Sequence, residues 1–180
     1  MPFMLTIDRD HELDAVLEVA RRMCAAARTA PKARGADNIV TAILTDGPEK
    51  DRLMAEMKRY GEQVNAPFFT RDADNLRNAE ACVIIGTRLQ RLGIPGCNLC
   101  GFSGCEECAK AEARCSYNAG DLGIALGSAA SVAADCRVDC RIMYTIGISA
   151  VNIGLLGPDV KIAHGIPLSV KGKNIFFDRK

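Results

Sequence analysis

Five of the chain's nine cysteines fall in one short stretch, and this clustering limits what the segment can fold into. The stretch has the pattern C-x2-C-x4-C-x2-C-x6-C. Cysteine thiolates are preferred ligands of soft metals, either Zn2+ or the iron of iron–sulfur clusters. The pattern therefore predicts a metal-binding insert on a larger scaffold, formed by Cys97, Cys100, Cys105, Cys108 and Cys115.

The spacing within the insert favours an iron–sulfur cluster over a single zinc ion. Only Gly-Phe-Ser-Gly separates Cys100 from Cys105, whereas zinc sites built from two C-x2-C pairs usually have a longer loop between them. A zinc ion remains a less favoured alternative for the metal bound here. The run Cys100-x4-Cys105-x2-Cys108 also matches the spacing of plant-type ferredoxins, so a [2Fe–2S] cluster with the distant Cys136 as fourth ligand is a second alternative.

Composition excludes several functional classes. The net charge of +1, the aromatic content of 5% and the absence of tryptophan argue against a nucleic-acid-binding surface. No apolar run has the length of a transmembrane helix, so no membrane association is expected. The N-terminus has no charged segment followed by an apolar one, which predicts a cytoplasmic protein whose clustered thiols bind metal rather than form disulfides.

Periodicity and turn residues predict a layered α+β domain spanning residues 1–180, with the cysteine-rich insert at 96–116. Asp139 is predicted to cap the last helix, and residues 171–174 to form a turn between the last two strands. Helices rich in Gly, Ala and Ser favour close packing in a core or between two copies in a homodimer. Helices are predicted at 10–29, 49–63, 72–79, 106–114, 118–135 and 139–153, and strands at 39–45, 81–86, 160–170 and 175–177.

Four residues outside the insert also have reactive side chains. Cys24 lies on the apolar stripe of the first helix, and Cys136 and Cys140 flank Arg-Val-Asp. All three are predicted to pack in the core, because free cysteine is among the most buried residue types. His164 is predicted to be a structural histidine with its hydrogen bonds satisfied.

The cysteine motif resembles the [4Fe–4S] domain of corrinoid iron–sulfur proteins and of electron-transport complex B subunits. In that domain three cysteines lie close together and a fourth follows a helical spacer. The resemblance implies a [4Fe–4S] cluster held by Cys97, Cys100, Cys105 and Cys115, with Cys108 as an extra cysteine.

Nearly the whole chain resembles a family of uncharacterised bacterial and archaeal ferredoxin-domain proteins. The resemblance rests on residues 30–37, the cysteine insert, 121–128, 141–147, 165–169 and 172–179. The function of that family is unknown, and it is the cluster site that predicts an iron–sulfur protein in cytosolic electron transfer, or a component of a redox enzyme with a partner protein still to be identified.

The order of elements is also similar to that of flavin nitroreductases, which implies a nitroreductase-like sheet. In that family the loop after the first helix and an arginine near the C-terminus contact FMN. The matching positions here are Lys32, Arg34 and Arg179. An FMN-dependent oxidoreductase is therefore an alternative function, and a zinc-stapled assembly module is a third.

Overall fold

The computed structural model describes residues 9–177, so Arg179 lies outside the described residues. A short 3-10 helix at Ala33–Gly35 follows the first helix. The helices are α1 (Arg9–Thr29), α2 (Pro48–Gln63), α3 (Phe68–Arg77), α4 (Cys105–Lys110), α5 (Ser116–Asp135) and α6 (Tyr144–Asn152), and the strands are β1 (Ile39–Leu44), β2 (Ala81–Arg88), β3 (Asp139–Cys140) and β4 (Val160–Ser169).

The four strands form one antiparallel sheet in the order β1-β2-β4-β3. In the register, Ile39 lies opposite Thr87, and Ala81 lies opposite Leu168. β2 is buried along its length except at Arg88. Its apolar sequence reflects this position, since a strand covered on both faces has no polar side.

Helices cover both faces of the sheet. α1 and α5 pack on the face that carries Val83 and Ile85, while α2, α3 and α6 pack on the face that carries Cys82 and Ile84. This arrangement of two helical layers around an antiparallel sheet confirms the predicted layered α+β fold. Within the described residues, no helix is long and apolar enough to span a membrane.

The helix predicted from Asp139 begins five residues later, at Tyr144. Asp139 and Cys140 instead form β3, opposite Ser169 and Leu168 of β4. Met143 then bridges to Gly165, which holds this segment extended until α6 starts. The prediction of a cap at Asp139 was wrong because long-range strand pairing overrides the local capping preference.

The strand predicted at 175–177 is also absent, and with it the predicted hairpin. The segment ends in turns, and the Phe176 side chain is buried in the core beneath α2, α3 and α6. Arg141 Nη1 donates to the Phe176 carbonyl over 2.8 Å, and the Phe176 amide donates to the Asn174 side chain over 2.9 Å. One aromatic anchor, rather than strand pairing, thus holds this segment.

At Gly147, α6 packs directly against the backbone of β4. A Cβ built on Gly147 would lie 1.7 Å from the Ala163 carbonyl oxygen, so only glycine fits there. By contrast, the α5 glycines Gly120, Gly123 and Gly127 have nothing within 4 Å of a built Cβ. Their open face makes no close contact within the described chain, and the predicted homodimer through small-residue helices stays a prediction.

Candidate metal centre

The five clustered cysteines lie in the irregular connection between β2 and α5, where the only helix is the short α4. The connection is tied to the scaffold at its base. The Gln90 amide donates to the Asn118 side chain over 3.0 Å, and Arg34 Nη1 donates to the Leu92 carbonyl over 2.6 Å. The insert thus begins from a fixed position beside the N-terminal end of α5.

Two tight turns shape the first part of the insert. The Cys97 amide donates to the Ile94 carbonyl, and the Gly101 amide donates to the Asn98 carbonyl. Gly96 has a φ of 69° and Gly101 a φ of 82°, a left-handed conformation that glycine adopts without strain. These turns place Cys97 and Cys100 on successive bends of the chain.

Cys97 and Cys105 line the same cavity, which has a volume of about 470 Å³. Glu106, Glu107 and Lys110 line it as well. Both thiols are half-buried and face a common space. The two carboxylates give this space a negative rim, offset in part by Lys110.

Cys100 and Cys115 do not line that cavity. The residues next to them in sequence, Leu99 and Ser116, are linked by a hydrogen bond. Ser116 Oγ donates to the Leu99 carbonyl over 2.9 Å. Cys115 is the N-cap residue of α5, and its thiol makes no capping hydrogen bond. The Cys115 side chain is half-buried and is not used to cap the helix.

Cys108 differs from the other four because its side chain is only 1% exposed. Its Sγ donates to the Ala113 carbonyl over 3.4 Å, and the Ala113 amide donates back to the Cys108 carbonyl over 2.9 Å. Arg91 Nη2 donates to both of these carbonyls. The bonds between Cys108 and Ala113 end α4 at Lys110, four residues before the predicted end of this helix. Cys108 therefore has a structural role in this conformation.

In the part of the chain between residues 9 and 177, no three Cys, His, Asp or Glu side chains converge as they would around a single metal ion. A single zinc ion requires its four ligands at about 2.0–2.3 Å. The four half-buried thiols of the insert are soft donors, a set that suits either zinc or an iron–sulfur cluster.

Cys136 lies at the opposite end of α5 from Cys115. The two residues cap the C- and N-terminal ends of this 20-residue helix. A rise of 1.5 Å per residue separates them by about 30 Å. Cys136 therefore lies too far from the insert to be the fourth ligand of a [2Fe–2S] cluster there, and that alternative is wrong.

The remaining cysteines belong to the core. Cys24, Cys136 and Cys140 are half-buried and pack against the cluster of side chains between α1, α5 and the sheet. Burial raises the thiol pKa of Cys24 and of Cys140 above the ordinary value. Fewer thiolates form at such sites, which makes these cysteines poor nucleophiles.

Cys82 gives a direct test of the core. Burial raises the pKa of its thiol to about 12, so we expect iodoacetamide to leave it unmodified in the native chain at about pH 8. The folded chain binds this proton more tightly than the unfolded chain, so the stability that Cys82 contributes falls as the pH rises from 9.0 toward 12. Mass spectrometry after alkylation in buffer and in urea would measure the protection. Equal labelling of Cys82 in both conditions would contradict its burial.

The two described residues predicted to hold FMN are engaged in the fold. Lys32 Nζ donates to the carbonyls of Ala27, Arg28 and Ala30, so it caps the C-terminal end of α1. All three of its protons are used by these bonds. Arg34 donates from Nη1 to the Leu92 carbonyl, and this bond leaves its other N–H groups available.

Comparison with known proteins defines the family. Residues 111–179 match the model of a family described as uncharacterized proteins containing a ferredoxin domain. An uncharacterized protein from Archaeoglobus fulgidus is 39% identical over 184 residues, covering 98% of both chains. The chain belongs to this family. The matched segment includes Cys115 but begins after the other four cysteines of the insert.

Solved structures show the fold family. A putative nitroreductase in complex with FMN from Desulfovibrio desulfuricans has a TM-score of 0.60 and 13% identity, over 99% of this chain and 84% of its own. A BluB-like flavoprotein from Clostridium difficile has a TM-score of 0.60 and 14% identity, over 99% and 88%. A nitroreductase with bound FMN from Desulfitobacterium hafniense has a TM-score of 0.60 and 11% identity, over 95% and 82%. These likenesses confirm the nitroreductase-like fold, and at such identities they show the fold alone.

Proposed function

We propose that the chain is an iron–sulfur protein of cytosolic electron transfer, or the cluster-bearing component of a redox enzyme. Cys97, Cys100, Cys105 and Cys115 would hold a [4Fe–4S] cluster on the nitroreductase-like scaffold. The observation that carries the proposal is the division within the insert, where four thiols are half-buried and only Cys108 is enclosed. The family's description as ferredoxin-domain proteins supports it.

The residues of the insert would set the properties of this site. When bound, a [4Fe–4S] cluster supplies one-electron oxidation and reduction. Glu106 and Glu107 are exposed at the first turn of α4 and add negative charge beside Cys105. Negative charge disfavours the reduced, more negative state, so both residues would lower the reduction potential.

An FMN-dependent oxidoreductase is the second candidate, because solved relatives in fold carry FMN. The described residues fit it less well than they fit a cluster. Lys32 has no proton left for a phosphate, so of the two described cations only Arg34 retains free donors. A zinc-stapled assembly module is the third candidate, and the same experiment tests all three.

Anaerobically purified protein should be brown, and its electron paramagnetic resonance spectrum should gain a signal on reduction with dithionite. Heat-released FMN and zinc should both be substoichiometric. Stoichiometric FMN in a protein without iron would favour the second candidate. A colourless anaerobic protein with one zinc per chain would overturn the cluster proposal.

A further inference from the structure

A second cavity, with a volume of about 370 Å³, lies at the edge of β4. Along residues 160–164 this strand pairs with β2 on one side, whereas β3 covers only its far end at Leu168 and Ser169. The cavity lies within the size range of small-molecule sites. Its walls come from α2, α6, β4 and the end of the insert, and include Tyr60, Arg114, Tyr144, Asn152, Lys161 and His164.

One wall of the cavity is aromatic. Tyr60 and Tyr144 both contact Phe69 edge-on, with ring centroids 5.4 Å and 5.9 Å apart, and Tyr144 is also 6.1 Å from Phe68. Of the two tyrosines that line the cavity, Tyr144 is nevertheless 46% exposed and Tyr60 is half-buried. Large aromatic side chains held in place yet left accessible offer a surface on which a planar ring can stack.

The charged groups of the cavity are all cationic. Arg114 and Lys161 line it, and no acidic residue does. Neither side chain forms an ion pair or hydrogen bond with another residue in the described range. Many cations elsewhere are matched, as Arg59 is by Glu56 and Lys171 by Glu80. Two unmatched cations on one cavity favour an anionic ligand.

His164 lines this cavity, but one of its ring nitrogens is enclosed by the protein. Its Nδ1 is buried and, among the residues that the structure describes, has no hydrogen-bond partner. The prediction of a satisfied structural histidine was therefore wrong. A buried polar atom without a partner costs free energy, so this histidine is not stabilised as a satisfied core residue would be.

The walls are held in position by the scaffold. Gly147 seats α6 directly on the backbone of Ala163, so the spacing between the helix and the strand is fixed. The Asn152 amide donates to Glu56 over 2.9 Å, which fixes the far end of the cavity. Little ordering would therefore be needed on binding, which favours affinity.

We propose that this cavity binds a small molecule that carries a planar aromatic ring and an anionic group. The ring stacks on the tyrosine wall, and the anion lies between Arg114 and Lys161. The site is separate from the cysteine-lined cavity and shares no lining residue with it. The proposal does not depend on the cluster.

Isothermal titration of the full chain with 2-naphthoate tests the proposal. We expect saturable binding of 2-naphthoate. Its affinity should fall about fivefold in the single variant Arg114→Gln and about fivefold in the single variant Lys161→Gln, because each removes a charge-assisted contact. Tyr144→Leu should weaken binding through loss of stacking. The neutral 2-naphthamide and the saturated decahydro-2-naphthoate should both bind more weakly than 2-naphthoate.

Arg21→Gln is the matched control, since Arg21 is exposed on α1, also lacks a described partner, and lies outside the cavity. It should bind 2-naphthoate as the unchanged chain does. Because Arg114 adjoins Cys115, iron content and melting temperature are measured for every variant, and Lys161→Gln decides the result if Arg114→Gln alters either. Failure of 2-naphthoate to bind, equal binding in Lys161→Gln, or equal affinity for 2-naphthamide would overturn the proposal.

Discussion

The Gly147→Ala variant should lose about 3 kcal/mol or more of its free energy of unfolding, or fail to fold. The added methyl group would lie 1.7 Å from the Ala163 oxygen, 2.2 Å from its carbonyl carbon and 2.6 Å from His164 Cα. All three are backbone atoms of β4, so no side chain can rotate away. The loss is large beside the 5–15 kcal/mol that typically stabilises a domain.

Gly123→Ala is the control for this change. Gly123 lies in α5 with nothing within 4 Å of a built Cβ, so alanine there should stabilise the helix by about 0.5–1 kcal/mol. Thermal unfolding followed by circular dichroism would compare the two variants with the unchanged chain. An unaltered melting temperature for Gly147→Ala would show that α6 and β4 are not packed as described.

Serine substitutions in the insert should divide the five cysteines into two classes. Cys97→Ser, Cys100→Ser, Cys105→Ser and Cys115→Ser should each lose most of the iron, because a hydroxyl is a poor substitute for a thiolate on a soft metal. Cys108→Ser should retain it. Its side chain is buried and donates to Ala113, and a serine hydroxyl can donate the same bond.

The comparison that decides the fourth ligand is Cys115→Ser against Cys108→Ser. Iron per chain after anaerobic purification is the measurement, with Cys136→Ser as the control, since this half-buried cysteine lies at the far end of α5 from the insert. Melting temperatures of all variants would separate loss of ligand from loss of fold. Iron retained in Cys115→Ser but lost from Cys108→Ser would reverse the assignment.

The long elements could be predicted from the sequence because local pattern and tertiary packing agree there. Val16, Ala20, Met23 and Ala27 recur at helical spacing and are all buried on α1. The apolar runs that became β1, β2 and β4 were likewise predicted within a few residues. The short helix predicted at 72–79 forms at Phe68–Arg77, since local signals fix its presence better than its ends.

The errors fall where distant pairing decides the local structure. Asp139 can cap a helix, but pairing with Ser169 makes it part of a strand. Phe176 has the high strand propensity of an aromatic residue, but its side chain is a core anchor. A single sequence carries no signal for contacts of this range.

In the candidate sites, too, local sequence patterns could be predicted and long-range contacts could not. The cysteine spacing alone predicted a metal site, whereas the role of Cys108 required the bond to Ala113. Arg114 and Lys161 are 47 residues apart, and nothing in either local sequence marks them as neighbours of one cavity. Arg91 and Ser116, which tie the insert together, were missed for the same reason.

The iron and acid-labile sulfide content of the anaerobically purified full chain tests the central claim most directly. A [4Fe–4S] cluster on the four half-buried cysteines predicts four iron atoms and four sulfides per chain. Two of each would indicate a smaller cluster and a different ligand set. Stoichiometric zinc with neither iron nor sulfide would contradict the claim that this insert is an iron–sulfur site.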